Sequence, residues 1–351
     1  KAMFHPEWGG YPDDEFLSSL EPGLGRIRGT LPDRAYHVGQ SVGRLTEAWA
    51  GELGLPEGIP VAAGAFDAHL GAVGSGVREG VMVKILGTSG CDMMVAPLDR
   101  AVPDIPGLCG IVPESILPGH YGLEAGQSAV GDIYNWFVNR IQPGGEEAGS
   151  HEALSAEAAR LRPGESGLLA LDWHNGNRTV LVDQRLTGGV LGLTLSSTPA
   201  EMYRAWVEAT AFGARIIMQR FEEYGVGVKR IVTGGGIALK NPMVLQIYAD
   251  VMNRPIEISR SSQACALGAA MAGAVVAGEQ NGGYDGFGAA AAAMTGVLDG
   301  RFDPVPEHVK VYDRLFACYR QLHDAFGTRE SVGNHFDVMK ELLAIKDQVR
   351  G

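Results

Sequence analysis

The sequence has 351 residues, 45% apolar and 20% charged, with a formal net charge of -12 and a pI near 5.2. This balance suits one large globular domain or two moderate ones, and the acidic charge argues against nucleic acid, whose phosphates it repels. Glycine accounts for 50 of the 351 residues, about twice the usual ~7%. Its scatter through turns and short motifs excludes collagen-like and low-complexity readings.

Cys91, Cys109, Cys265 and Cys318 lie far apart without CxxC spacing, so reduced thiols are expected rather than a zinc site or a disulfide framework. The nine histidines show no metal-ligand spacing either. The alanine-rich tract at 286–297 is too short and too weakly apolar to span a membrane. No secretion signal is visible, and a cytoplasmic location is expected. The chain opens at Lys1 within what reads as folded sequence, so a preceding N-terminal portion is expected.

In chain order, residues 1 to about 60 are turn-rich, with a predicted helix from Val42 to Leu53 ended by Gly54 and Pro56. Short β-like apolar runs follow at 61–63, 81–86 and 91–95. Gly126 to Ile141 reads as a helix with Ile133, Trp136, Phe137 and Ile141 on one face. Residues 143–166 read as a polar surface helix with loops, and 167–171 as a strand. Thr198-Pro199-Ala200-Glu201 combines an N-cap threonine, proline at the first helical position and glutamate three residues after the cap. It opens a long helix ended by Gly225. Beyond it the chain alternates: strand 230–233, helix 242–253, strand 256–259, helix 262–277, and an amphipathic helix at 307–326. Such alternation predicts an α/β domain with a helix-covered sheet.

Four short stretches could carry chemistry. Gly64-Ala65-Phe66-Asp67-Ala68-His69 sets a lone carboxylate after a strand. If buried, Asp67 would be poorly solvated and so suited to general-base work; a helix-opening cap is the other reading, and His69 reads as structural. Leu86-Gly87-Thr88-Ser89-Gly90 is a tight turn whose N–H groups and hydroxyls could hold phosphate oxygens, or a plain hairpin. It is not a Walker A loop, since GxxxxGK[ST] is absent. Thr233-Gly234-Gly235-Gly236, with Asn241-Pro242 opening the next helix, lets backbone come close to a ligand and offers N–H groups to an anion. Gln263 to Ala270 is a run of small residues that could pack against a helix or a flat ligand.

Taken together and in this order, the strings GAFDAHLGAVG (64–74), KILGTSGCD (84–92), GLEAGQSAVGDIYNWF (122–137), LDWHNGNRT (171–179), ATAFGAR (209–215), TGGGIALKN (233–241) and ALGAA (266–270) resemble the FGGY family of carbohydrate kinases, the ribulokinase branch most closely. Residues 188–208 resemble the family's C-terminal signature. The resemblance implies two actin-like, ribonuclease H-like domains: the end of the first at 1–66, an ATP-binding second at 67–330, and a C-terminal tail at 331–351. It implies ATP-dependent phosphorylation of a ketopentose's terminal hydroxyl, L-ribulose first, with D-ribulose, xylulose or a non-catalytic ATP-binding fragment as alternatives. Asp67 becomes the catalytic base. Lys1, Glu124 and, more weakly, Gln127 become sugar contacts. Gly87, Thr88, Ser89, Gly234, Gly235, Gly236 and Asn241 become the ATP site. Mg2+ is implied with ATP, and a homodimer is the candidate assembly. The family's first phosphate loop, Asp-x-Gly-Thr, is not found in the sequence.

Overall fold

A computed structural model describes residues 4–5, 9–32, 34–143, 149–333 and 338–350. The first segment carries α1 (Asp14–Leu20), α2 (Leu24–Arg28), β1 (Ser41–Arg44), α3 (Glu47–Leu53) and β2 (Pro60–Ala62), with β1 and β2 paired antiparallel. The helix predicted from Val42 therefore starts later. Thr46 accepts a hydrogen bond from the Trp49 N–H and caps the helix, while 41–44 are taken by strand pairing. Gly54 ends it in the left-handed conformation, which glycine adopts without a Cβ penalty.

Helix α4 (Asp67–Gly74) leads into the main sheet, built from β3 (Val81–Leu86), β4 (Gly90–Pro97), β5 (Gly110–Pro113), β6 (His120–Gln127), β9 (Arg230–Gly234), β10 (Ile256–Ser259) and β11 (Val297–Phe302). A small pair, β7 (Leu169–Leu171) and β8 (Gly189–Leu191), stands apart. The seven strands run in the order β11-β10-β9-β3-β4-β6-β5. β3, β4 and β6 form an antiparallel meander, and β9 and β10 continue the sheet parallel to β3 on its other side. A mixed sheet covered by helices is the α/β architecture expected from the sequence.

The remaining helices are α5 (Gly131–Trp136), α6 (His151–Ala158), α7 (Pro199–Glu223), α8 (Gly236–Lys240), α9 (Pro242–Met252), α10 (Ala264–Ala277), α11 (Phe287–Met294), α12 (Pro306–Gly327) and α13 (Val338–Arg350). Gly126 and Gln127 complete β6, so α5 starts five residues later than predicted and runs into a π-helical turn at Phe137–Ile141. Thr198 and Glu201 form the reciprocal capping box read from the sequence. Residues 338–350, placed by the sequence in a tail, form a helix. Leu342 and Ile345 are buried, Arg314 binds Glu341, and Arg350 binds Glu201.

Alternation along the strands sends side chains to two cores. Met82, Leu86, Met94 and Leu123 pack with α7, α9 and α12, while Val83, Met93 and Val95 pack with α4, α10 and α11. The helices α4 and α10 meet almost backbone to backbone. A Cβ on Gly74 would lie 2.0 Å from the Ala264 carbonyl oxygen, and one on Gly268 would lie 1.9 Å from that of Leu70. This crossing is the packing use of the small residues seen at 263–270.

Candidate active site

Three turns converge at the C-terminal end of β3. The first, Gly87–Ser89, joins β3 to β4, with the Gly87 N–H bonded to the Ser89 carbonyl. The second opens α5: the Val130 and Asp132 N–H groups donate to the Thr88 carbonyl at 2.8 and 3.1 Å, and that of Gly131 to the Gly87 carbonyl at 3.0 Å. The third is Gly234–Gly236. Gly235 has φ +99°, and its Cβ would meet the Leu86 carbonyl oxygen at 2.3 Å. Glycine is required there on both counts.

These turns form one end of a cavity of about 1390 Å³. Gly87, Thr88, Gly236 and Asn241 line it together, with Asp132, Tyr134, Ser155, Tyr203, Arg204 and Lys240. Four of the seven residues assigned to ATP from the sequence thus share one wall. Ser89, Gly234 and Gly235 are not among the lining residues; they shape the turns behind it. Asn241 caps α9 through Val244 N–H, and its Nδ2 donates to Ser155 Oγ at 2.8 Å, tying α9 to α6. Arg204 crosses the cavity floor, donating to Glu208 (2.8 Å), Tyr312 (2.9 Å) and the Ala158 carbonyl (2.9 Å). Burial raises the Glu208 carboxyl's pKa, and the Arg204 charge opposes that rise. Sequence reading missed Ser155, Tyr203 and Arg204, which come from helices far apart in the chain.

Asp67 is the first residue of α4, and its Oδ1 accepts a hydrogen bond from the Ala68 N–H at 2.7 Å. The carboxylate is exposed, so of the two sequence readings the helix-opening one describes its place in this chain. It stands at the helix start, directly after Phe66, which is the N-cap in extended conformation. His69, two residues further along the helix, is buried. Its Nδ1 meets the Ser115 carbonyl at 2.8 Å and its Nε2 meets Glu124 Oε2 at 2.9 Å. A carbonyl only accepts, so Nδ1 carries the proton that it donates to Ser115. His69 thereby fixes the Glu124 carboxylate against the helix that carries Asp67.

Gln127 lies three residues beyond Glu124 on the same strand and so faces the opposite side of the sheet. Its Nε2 donates to Asp172 Oδ2 (2.8 Å) and the Thr210 carbonyl (2.7 Å), and its Oε1 accepts from Lys84 Nζ (3.3 Å). Both amide hydrogens are spent in the core, on the opposite side of the sheet from Glu124. Burial raises the pKa of the Asp172 carboxyl, against hydrogen bonds from Gln127 and Tyr319 that favour its ionised form. Lys1 lies outside the described residues. Among the described residues no group of three or more His, Cys, Asp or Glu is placed to hold a metal ion, and no helix is long and apolar enough to cross a membrane.

Residues 82–277 match the model of the C-terminal domain of the FGGY family of carbohydrate kinases. The chain belongs to the FGGY family. It is 46% identical over 345 residues to a ribulokinase of Bacillus licheniformis, which covers 96% of this chain and 62% of that protein. It is 45% identical over 359 residues to a ribulokinase of Anoxybacillus flavithermus, covering 100% of this chain and 62% of the relative. The chain thus spans about 62% of the length of these curated relatives. In structure it matches a xylulose kinase of Rhodospirillum rubrum with a TM-score of 0.73 at 27% identity, over 87% of this chain and 60% of that one. The FGGY assignment agrees with the mixed α/β fold described above.

Proposed function

We propose that this chain carries the nucleotide-binding half of an ATP-dependent ketopentose kinase whose substrate is L-ribulose and whose product is L-ribulose 5-phosphate. The observation that carries this reading is the cavity of about 1390 Å³ that joins Gly87 and Thr88 to Gly236 and Asn241. The ketose is taken from the identity to ribulokinases. Residues 67–330 form the nucleotide-binding domain in this reading. ATP lies with its phosphates at Gly87–Ser89 and its adenosine against Gly236 and Asn241.

Phosphoryl transfer depends on positioning and charge neutralisation more than on covalent help. Asp67 accepts the proton of the attacking 5-hydroxyl, and Glu124, held by His69, orients the ketose by accepting hydrogen bonds from its hydroxyls. Mg2+ enters with the nucleotide as part of the substrate. It is usually held by substrate phosphates and one or two carboxylates, and of the carboxylates lining the cavity, Asp132, Glu152 and Asp250, Asp132 is the one whose N–H is bonded to the Thr88 turn. A base needs shielding from water to gain strength, and Asp67 is exposed in this chain. That exposure favours a second reading, in which this chain alone binds nucleotide without turning over sugar.

A coupled ADP-release assay with L-ribulose, D-ribulose, D-xylulose, glycerol or no sugar separates the readings. ADP release with L-ribulose above the others supports the first. Nucleotide binding with no release for any sugar supports the second. Release independent of sugar refutes both.

A further inference from the structure

Lys84 is a lysine in the middle of an apolar strand, and both it and Asp92, its cross-strand partner, are fully buried. Its ammonium donates to Asp92 Oδ1 at 2.8 Å and Oδ2 at 3.1 Å, and to Gln127 Oε1 at 3.3 Å. Its carbonyl accepts from Thr233 Oγ1 at 2.9 Å. A buried ion pair of this kind adds little to stability compared with apolar residues of the same shape, so stability alone does not explain the charge.

Its bonds give it a place in the site. β3 carries Lys84 into the Gly87–Ser89 turn, and Asp92 sits on the strand leaving that turn. Gln127 lies three residues before Val130, which opens the second turn, and Thr233 immediately precedes the third. The far side of Gln127 is anchored to Asp172 and Thr210. One residue is therefore bonded to the approach of every turn at the phosphate end of the cavity, beneath the surface and out of reach of any ligand.

We infer that Lys84 is a positioning residue: through Asp92, Gln127 and Thr233 it sets the three glycine turns in the spacing that holds a nucleotide's phosphates. The inference rests on the nucleotide-binding reading above. It predicts that loosening this brace weakens the grip on phosphates and leaves the grip on adenosine alone, a separation that general destabilisation would not produce.

The test is calorimetric titration of this chain with ADP and with adenosine, alongside thermal melting. Lys84→Met/Asp92→Asn removes both charges and keeps the volume at each buried position. The variant is expected to keep its adenosine affinity while ADP binding weakens about tenfold, the worth of one misaimed hydrogen bond to a charged group. Thr233→Val removes only the link to the third turn and should weaken ADP binding several-fold. If the double variant fails to fold, Asp92→Asn decides the matter: it keeps the partner's shape, weakens the bonds of the Lys84 ammonium, and is expected to show the same selective loss of ADP affinity. An unchanged ADP-to-adenosine ratio in a folded variant, or an equal loss for both ligands, overturns the inference. Wild-type protein that binds ADP no better than adenosine overturns the nucleotide reading along with it.

Discussion

Gly131→Ala sets helix propensity against close backbone approach and separates the two. Gly131 opens α5 with a backbone outside the left-handed region, so alanine meets no conformational strain there. In an unconstrained helix the change would stabilise by up to ~1 kcal/mol. Here the new methyl would sit 2.6 Å from the Gly87 carbonyl oxygen and 3.0 Å from Ile237 Cδ1. The Gly87 turn must retreat by roughly 0.8 Å to restore ordinary contact, and such crowding costs ~1–3 kcal/mol. The net loss is then ~0–3 kcal/mol, a fall in melting temperature of no more than about 12 °C. Since that same turn is the proposed phosphate seat, ADP affinity should fall about tenfold. Calorimetric titration with ADP and a melting curve check both numbers. A folded Gly131→Ala protein with unchanged ADP affinity would refute the reasoning.

Asp67→Asn, in a form of the enzyme that turns over sugar, should lower turnover by ~10²–10⁴-fold with ADP affinity unchanged, as measured by coupled assay and titration. His69→Ala frees the Glu124 carboxylate from its buried partner and should raise the KM for the ketose about tenfold without altering nucleotide binding. Burial holds the His323 imidazole below its ordinary pKa, so its neutral form stabilises the fold above the unfolded value of ~6.5. That contribution is lost as pH falls through the lowered folded value, because the unfolded chain then binds more protons. Melting temperature should drop between pH 7.5 and 5.5, and less so in His323→Gln.

Much of this was legible in the sequence because the signals were local. The capping box at Thr198–Glu201 and the glycine runs at 87–90 and 234–236 are spelled out by neighbours, and the turns stand where they were read. What the sequence could not give was direction. Glu124 and Gln127 share one string, yet strand alternation sends one toward His69 and the other into the core. Asp67 follows apolar residues, yet it stands exposed at a helix start. The cavity wall of Ser155, Tyr203 and Arg204 comes from two helices brought together by packing, which no local pattern announces. One signal was present but unread: a lysine inside Val-Met-Val-Lys-Ile-Leu needs a buried partner, and Asp92 stands opposite it across the hairpin.

The most direct test of the account is a crystal structure of this chain with Mg2+ and ADP. The account predicts the β-phosphate against the Gly87–Ser89 backbone and the adenosine beside Gly236 and Asn241. ADP bound elsewhere on the chain, with this cavity empty, would contradict it.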